Sequence, residues 1–260
     1  MKVLVAGKGF IGEAIGDELE TFYDVKYLDR STGDYREDVT QSFEIDEEFD
    51  VLIHTIGLAP GFATEEAYQQ VHVEGTGNML EGVECEKVVY LSALGVGEVD
   101  HSFFRTKEKA EELIRESGKD YSIVRPSTVY GQGNKLLELM KRFAPTRIFP
   151  DLPAETQPIL RDDLVSVVLE TVESFDNETL DAAGPEKYSM GELATEMYRE
   201  EGYRCFLLPA PKSLMRFGLR TLSFLGPPFR PENIKIFTSS NTTDENDAEN
   251  LVELSEIFKK

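Results

Sequence analysis

Gly7, Gly9 and Gly12 stand at G-x-G-x-x-G spacing in Val3-Leu4-Val5-Ala6-Gly7-Lys8-Gly9-Phe10-Ile11-Gly12. The pattern directly follows a strand-like run and directly opens a helical one, the context in which such a turn cradles a diphosphate. Gly7 permits the tight turn, Gly9 leaves no side chain in the way of the phosphates, and Gly12 lets the helix lie close to the strand. The helix start, through Phe10, Ile11 and Gly12, then offers free N–H groups and positive potential to an anion. Asp29 ends the second strand-like run, 22 positions past Gly7. A carboxylate there accepts from both hydroxyls of an adenosine ribose and repels a 2′-phosphate, which favours NAD over NADP. Arg30 follows at once and could hold a 2′-phosphate if Asp29 turned away, so NADP stays open.

The elements that must position these residues are legible as alternating patterns. Strand-like runs fall at Val3–Ala6, Val25–Leu28, Val51–His54, Val88–Leu91 and Tyr121–Val124. Helical patterns lie between them, at Phe10–Glu20, Glu65–Glu81 and Thr106–Ser117. Strands that are apolar throughout, each followed by a helix, predict a doubly wound α/β domain with a parallel sheet covered on both faces, of Rossmann type. Beyond Gly131 the spacing predicts helices at Lys135–Phe143, Asp162–Phe175 and Gly191–Glu200, and a further strand at Leu180–Ala183. The expected organisation is a dinucleotide-binding domain over 1–133, completed by about 161–183. A small substrate or partner lobe is expected from 134–160 and 184–237, over the carboxyl ends of the strands. Residues 238–260 open on Thr-Ser-Ser-Asn-Thr-Thr-Asp-Glu-Asn-Asp and read as a flexible acidic tail, with a short helix at Leu251–Phe258.

Composition narrows the function further. The 260 residues carry 27 basic and 49 acidic side chains, a formal net charge of −22. Affinity for phosphate backbones rests on Lys and Arg, so a general nucleic-acid binder is excluded. Cys85 and Cys205 match no metal-ligand spacing and no disulfide framework. There is no internal repeat, and no apolar run reaches the ~18 residues of a membrane span. With no cleavable signal before the first strand, the expectation is a soluble, reducing, cytoplasmic protein.

The motifs resemble, in order, those of the extended and atypical short-chain dehydrogenases/reductases, the NAD-dependent epimerase/dehydratase-like superfamily. They are Gly7–Gly12, Asp38-Val39, His54-Thr55-Ile56-Gly57, Val71-His72-Val73-Glu74-Gly75-Thr76, Val88-Val89-Tyr90-Leu91-Ser92, Arg125-Pro126-Ser127-Thr128-Val129-Tyr130-Gly131 and Asp162-Asp163-Leu164. Phe103-Phe104-Arg105-Thr106-Lys107, Ala110-Glu111 and Arg125-Pro126-Ser127 are most similar to the branch of the complex I nucleotide-binding accessory subunit. The resemblance implies that Asp38 and Val39 bracket an adenine, that Thr55, Ile56 and Gly57 line the dinucleotide, and that Ser127 and Thr128 lie near its nicotinamide and a small molecule in the cleft.

The chain departs from that superfamily where the chemistry lies. Active members use Tyr-x-x-x-Lys, the Tyr exchanging a proton with substrate and the Lys lowering its pKa and holding the nicotinamide ribose. Here Phe103 stands at the Tyr position, Lys107 remains, and Ala93 stands at the position of the usual Ser or Thr, with Ser92 one residue earlier. The glycine turn is also one residue shorter than the usual G-x-x-G-x-x-G. A phenyl ring has no exchangeable proton. The expected function is therefore an NAD(P)-binding protein in a structural or regulatory role near a respiratory or quinone-linked complex. The alternative is an NAD(P)-dependent oxidoreductase or sugar-nucleotide epimerase/dehydratase using Lys107 as the catalytic group, desolvated into a base. His101, two residues before Phe103, is a further candidate for the missing proton donor, set against a surface histidine at a helix start.

One region opposes the acidic background. From Tyr203 to Phe237 there are six cations and one acid, a net +5. Lys212, Arg216 and Arg220 are spaced four apart, one stripe of a helix flanked by apolar residues. Such a stripe predicts a membrane surface or an acidic protein partner, or else pairing with the chain's own carboxylates.

The overall acidity fits either a protein kept soluble at high salt, where screening relieves its self-repulsion, or an ordinary acidic mesophilic protein. On that halophilic reading the melting temperature rises between low and molar salt; a curve that stays flat or falls contradicts it.

Overall fold

Alternate residues of the first strand face two different cores, and this alternation organises the molecule. The computed structural model describes all residues except 132, 153, 175–176, 210, 227–228, 250 and 255–260, and describes residues 212, 214 and 225 by their backbone only. The chain runs β1 (Lys2–Ala6), α1 (Gly12–Leu19), β2 (Asp24–Leu28), β3 (Phe49–His54), α2 (65–82), β4 (Cys85–Leu91), α3 (Ser102–Glu116), β5 (Asp120–Pro126), α4 (Lys135–Phe143), α5 (Arg161–Glu173), β6 (Glu178–Ala182), α6 (Met190–Glu200) and α7 (Lys212–Leu222). The six strands form one parallel sheet in the order β6-β5-β4-β3-β1-β2. Val3 and Val5 pack with Ile15 and Leu19 of α1 and Leu164 and Val168 of α5. Leu4 and Ala6 pack on the other face with Met79 of α2 and Ala110 and Ile114 of α3. This is the predicted Rossmann-type architecture. Because β1 lies between β2 and β3, the winding reverses there and a crevice opens at the carboxyl ends of the strands.

Apart from the packing on the two faces of the sheet, the lobe forms a second core around α4 and α6, with Leu137, Met140, Phe149, Leu193, Met197 and Tyr198 buried in it. Short strand pairs brace it: Ile148–Asp151 beside Phe206–Pro209, and Glu155–Thr156 beside Tyr188–Ser189. These pairs lie partly within 145–158, a stretch punctuated by four prolines.

Three elements differ from the sequence reading. Helix α3 begins at Ser102, four residues before Thr106, because the His101 ring caps it: Nδ1 accepts from Phe103 N at 3.1 Å. Imidazole is not among the usual capping groups, so the sequence carried no start signal there. Helix α2 is continuous but widens into a π-turn over Gln69–Glu74, which carries His72.

The third difference is the tail, which is no free linker within the described residues. Asn241 N donates to Glu155 O (2.8 Å), Gln157 N to Asn241 O (3.1 Å) and Thr243 N to Gln157 Oε1 (3.1 Å). Further on, Asn246 exchanges side-chain bonds with Ala183 N and O (3.0 and 2.9 Å). Asp247 exchanges two with Asp181 (3.0 and 2.8 Å). Ala248 and Leu254 are buried, one in each main core. The physical reason is that β6 is an edge strand whose outer backbone groups need partners, and the Asn- and Asp-rich segment supplies them. The terminal helix expected at Leu251–Phe258 falls largely outside the described residues.

Removing residues 239–260 should therefore cost about 3 kcal/mol or more, through lost burial and hydrogen bonds. Urea unfolding of the truncated chain checks this; a midpoint equal to that of the full chain would return the segment to a free tail.

Candidate functional site

A cleft of about 610 Å³ opens at the carboxyl ends of β1, β3 and β4. The residues expected to hold a dinucleotide all line it: Gly7, Gly9, Phe10, Ile11, Gly12, Asp29, Arg30, Asp38, Val39, Thr55, Ile56, Gly57 and Lys107. Ser127 and Thr128 line it as well.

The glycine turn is held by close contacts. Gly7 has φ +100°, a left-handed conformation, and a Cβ on Gly12 would fall 1.9 Å from Gly7 O. The Thr55 hydroxyl just past β3 donates toward both Ala6 O (2.8 Å) and Gly7 O (3.0 Å), so it clamps the turn. A Cβ on Gly9 would meet nothing within 4 Å, which leaves open space above the turn. Among the described residues the N–H groups of Gly9, Phe10 and Ile11 find no acceptor. These free donors and that open space fit a diphosphate.

On the β2 side, Asp29 Oδ1 accepts from Ser31 N, Ser31 Oγ and Thr32 N, while Oδ2 accepts only a long bond from Lys8 N at 3.3 Å. Burial pushes the Asp29 pKa up, but these bonds outweigh it and hold the carboxyl below its ordinary value. It is thus an ionised, oriented acceptor with one oxygen nearly free. Arg30 is exposed. Asp38 accepts from Thr40 N and Oγ1, which lower its pKa. Val39 beside it is buried, its carbonyl receiving Asn78 Nδ2 at 2.7 Å.

The other end of the cleft holds the reactive candidates. Lys107 is buried; Nζ donates to Leu91 O at 2.7 Å and lies 4.5 Å from the centre of the Tyr90 ring. Desolvation brings its pKa down to about 7, against the opposing pull of Glu111 one turn along α3. A Cβ on Gly57 would reach 3.3 Å from Lys107 Nζ and 3.6 Å from His72 Nε2, so the glycine leaves that approach clear. Phe103 lines the cleft one turn before Lys107, edge-on to His72 (5.5 Å) and Tyr68 (5.6 Å).

Several contributors carried no role in the sequence reading. His72 Nε2 accepts from Leu58 N (3.0 Å), which leaves the proton on Nδ1, bonded to Thr106 Oγ1 (2.9 Å). Burial, then the charge of Lys107, keeps His72 neutral, and the same two causes lower His54 to about 3. Glu111, fully buried, accepts from Arg125 (2.9 and 2.6 Å), Arg115 (2.8 Å) and Ser92 Oγ (2.5 Å). Burial opposes its charge, and these bonds restore it, leaving the pKa lowered. In the sequence Glu111 and Arg125 stood only among the motifs of the resemblance, with no role attached. His101 is buried rather than on the surface, and both its nitrogens are engaged, Nδ1 by Phe103 N and Nε2 by Asn233 Oδ1 (3.2 Å). It does not line the cleft and offers no proton there.

No family model matches the chain. A 40 kDa mitochondrial subunit of NADH-ubiquinone oxidoreductase from Neurospora crassa is 25% identical over 157 residues, 58% of this chain and 42% of that protein. A chloroplastic divinyl chlorophyllide a 8-vinyl-reductase from Cucumis sativus is 28% identical over 222 residues, 78% of this chain and 49% of the relative. The chain thus spans less than half the length of these curated relatives. A dTDP-4-dehydrorhamnose reductase from Clostridium acetobutylicum superposes with TM-score 0.76 at 19% identity, covering 100% of this chain and 97% of that one. The chain has the short-chain dehydrogenase/reductase fold. A UDP-glucuronic acid 4-epimerase from Bacillus cereus, solved with UDP-glucuronic acid and NAD, shares it with TM-score 0.72 at 17% identity over 100% and 97% of the two chains. The superfamily resemblance read from the motifs therefore holds, with a complex I subunit among the relatives.

In this fold the Lys107 burial has a measurable sign. Unfolded, the lysine titrates near ~10.4; folded, near about 7. Between those values the unfolded chain holds a proton that the folded one has lost, so stability rises with pH there by up to ~1.4 kcal/mol per unit. Below the folded value both states are protonated and the burial penalty is present in full. Urea midpoints of wild type and Lys107→Met should diverge in slope across that window, wild type climbing and the variant lacking that rise. Parallel slopes would mean the ammonium is not desolvated.

Proposed function

We propose that the cleft binds an NAD(P) dinucleotide and that the protein holds it in a structural or regulatory role, without the proton-coupled turnover usual for this fold. One observation carries this reading: Phe103 occupies the cleft one turn before Lys107, where a hydroxyl would have to relay the proton. Ser92 cannot replace it, since its hydroxyl donates to Glu111. When bound, the nicotinamide ring supplies hydride transfer. The chain's own groups do the binding. The free N–H groups of Gly9, Phe10 and Ile11 face the phosphates, Asp29 the adenosine ribose, Asp38 and Val39 the adenine, and Ile56 and Gly57 the turn toward the nicotinamide. Lys107 keeps two N–H directions beyond its bond to Leu91 O and can give one to the nicotinamide ribose.

The name of the Neurospora crassa relative, a subunit of NADH-ubiquinone oxidoreductase, supports a place beside a respiratory or quinone-linked assembly. NAD bound in the Bacillus cereus structure supports the cofactor. The nearly free Oδ2 of Asp29 supports NAD over NADP, with exposed Arg30 as the route to NADP.

A second reading rests on the Lys107 pKa of about 7, which populates ammonium and amine together at neutral pH. Lys107 would then be the catalytic acid or base of an oxidoreductase or sugar-nucleotide epimerase/dehydratase.

Equilibrium dialysis should show uptake of NAD(H) at micromolar to millimolar levels, about tenfold tighter than NADP(H), with Asp29→Ala erasing the preference. The absence of uptake of either at millimolar levels overturns the proposal. Reduced cofactor should persist in the presence of ketones, quinones and sugar nucleotides; steady turnover abolished by Lys107→Ala selects the second reading.

A further inference from the structure

Helix α7 and the turn Ser223–Leu225 that follows it present an uncommon mixture to solvent. Met215 packs against the second core, and Gly218 and Leu219 are half-buried. The opposite side carries Arg216, Phe217, Arg220 and Thr221, all exposed. Phe217 is 65% exposed and Phe224 80%. Phe217 lies on the helix with Arg216 beside it and Arg220 one turn further on, and Phe224 stands in the turn that continues the same exposed end, seven positions past Phe217. Scattered exposed apolar residues are ordinary, but two nearly free phenylalanines interleaved with arginines form a patch that calls for a partner.

The charges are equally uncommitted. Among the described residues neither Arg216 nor Arg220 has an ion-pair partner, whereas Arg230 meets Glu232 and Lys235 meets Asp100. Pairing with the chain's own carboxylates thus fails for these two arginines, while the Lys212 side chain lies outside the described residues. The surrounding region, at +5, is set in a chain whose remainder carries −27.

We propose that this face docks on an anionic lipid bilayer, with Arg216 and Arg220 at headgroup level and Phe217 and Phe224 in the boundary between headgroups and acyl chains. The remainder of the surface is repelled by such a membrane, and screening over ~8 Å confines that repulsion to faces brought close. Only the basic tip can approach, which orients the molecule. An acidic protein would satisfy the arginines but would need two apolar hollows spaced to match the rings; a bilayer needs none. No helix of the described residues is long and apolar enough to cross a membrane, so docking is interfacial.

Flotation of the full chain with phosphatidylcholine vesicles, with and without phosphatidylglycerol, tests this. Wild type should float only with the anionic vesicles and release at high salt. Arg216→Glu with Arg220→Glu should lower partitioning about tenfold or more, as should Phe217→Ser with Phe224→Ser. These positions are exposed and outside the cleft, so unchanged thermal melting of each variant shows that it is folded. The chain has no tryptophan, so Phe224→Trp supplies a single emitter whose emission should shift blue on the vesicles. No flotation with anionic vesicles, equal flotation with neutral ones, or charge-reversed protein that floats like wild type overturns the proposal. Retention on immobilised polyglutamate without flotation overturns it in favour of an acidic protein partner.

Discussion

The carbonyl oxygen of Gly7 lies where the β-carbon of any other residue at position 12 would have to be. This contact brings the start of α1 against the end of β1, and the Thr55 hydroxyl locks it by bonding Ala6 O and Gly7 O from the neighbouring strand. Three chain segments therefore meet at one point. Their meeting aligns the unpaired N–H groups of the turn over open space. The cleft is a consequence of that close approach: were helix and strand a side chain further apart, no phosphate-sized cradle would form.

The far end of the cleft is governed by where charge can be neutralised. Glu111 is the carboxylate that lowers the cost of burying Lys107, yet it is already claimed by two guanidinium groups and the Ser92 hydroxyl. A carboxylate so fully engaged attracts an ammonium only weakly. Lys107 is left with a carbonyl and the face of Tyr90, and desolvation prevails. Around it the protein has assembled neutral partners: two uncharged histidines and a cluster of aromatic rings that includes Phe103, Phe104 and Tyr68. The Phe103 ring continues this apolar wall along the cleft.

Much of this was readable from residue order. The alternation of apolar runs and amphipathic stretches specifies the parallel sheet, because strands buried on both faces must be apolar throughout. The three glycines announced the turn through their spacing together with the strand-like run before them and the helical run after. What was not readable depended on partners distant in sequence. His101 became a buried cap only because Asn233 receives its other nitrogen. Thr55 lines the cleft as expected, but nothing local foretold that its hydroxyl also bonds the end of β1. The polar run after Thr238 had linker composition, and nothing local reveals that an unpaired sheet edge awaits it. Local pattern reports periodicity; it is silent about which far-off donor will meet which acceptor.

That terminal segment also alters what the cleft can do. Asn241 lines it, and the same residue's carbonyl takes the Ser127 hydroxyl from one wall at 3.0 Å and the Gln157 amide from the lobe side at 3.1 Å. A few residues on, the chain is fastened to the rim of the sheet at Asp181 and Ala183. Widening the mouth would have to peel this belt from its buckle. One run of residues, 241–247, thus ties together a wall of the cleft, the lobe and the outer strand of the sheet, with exposed Glu245 between the two fastenings.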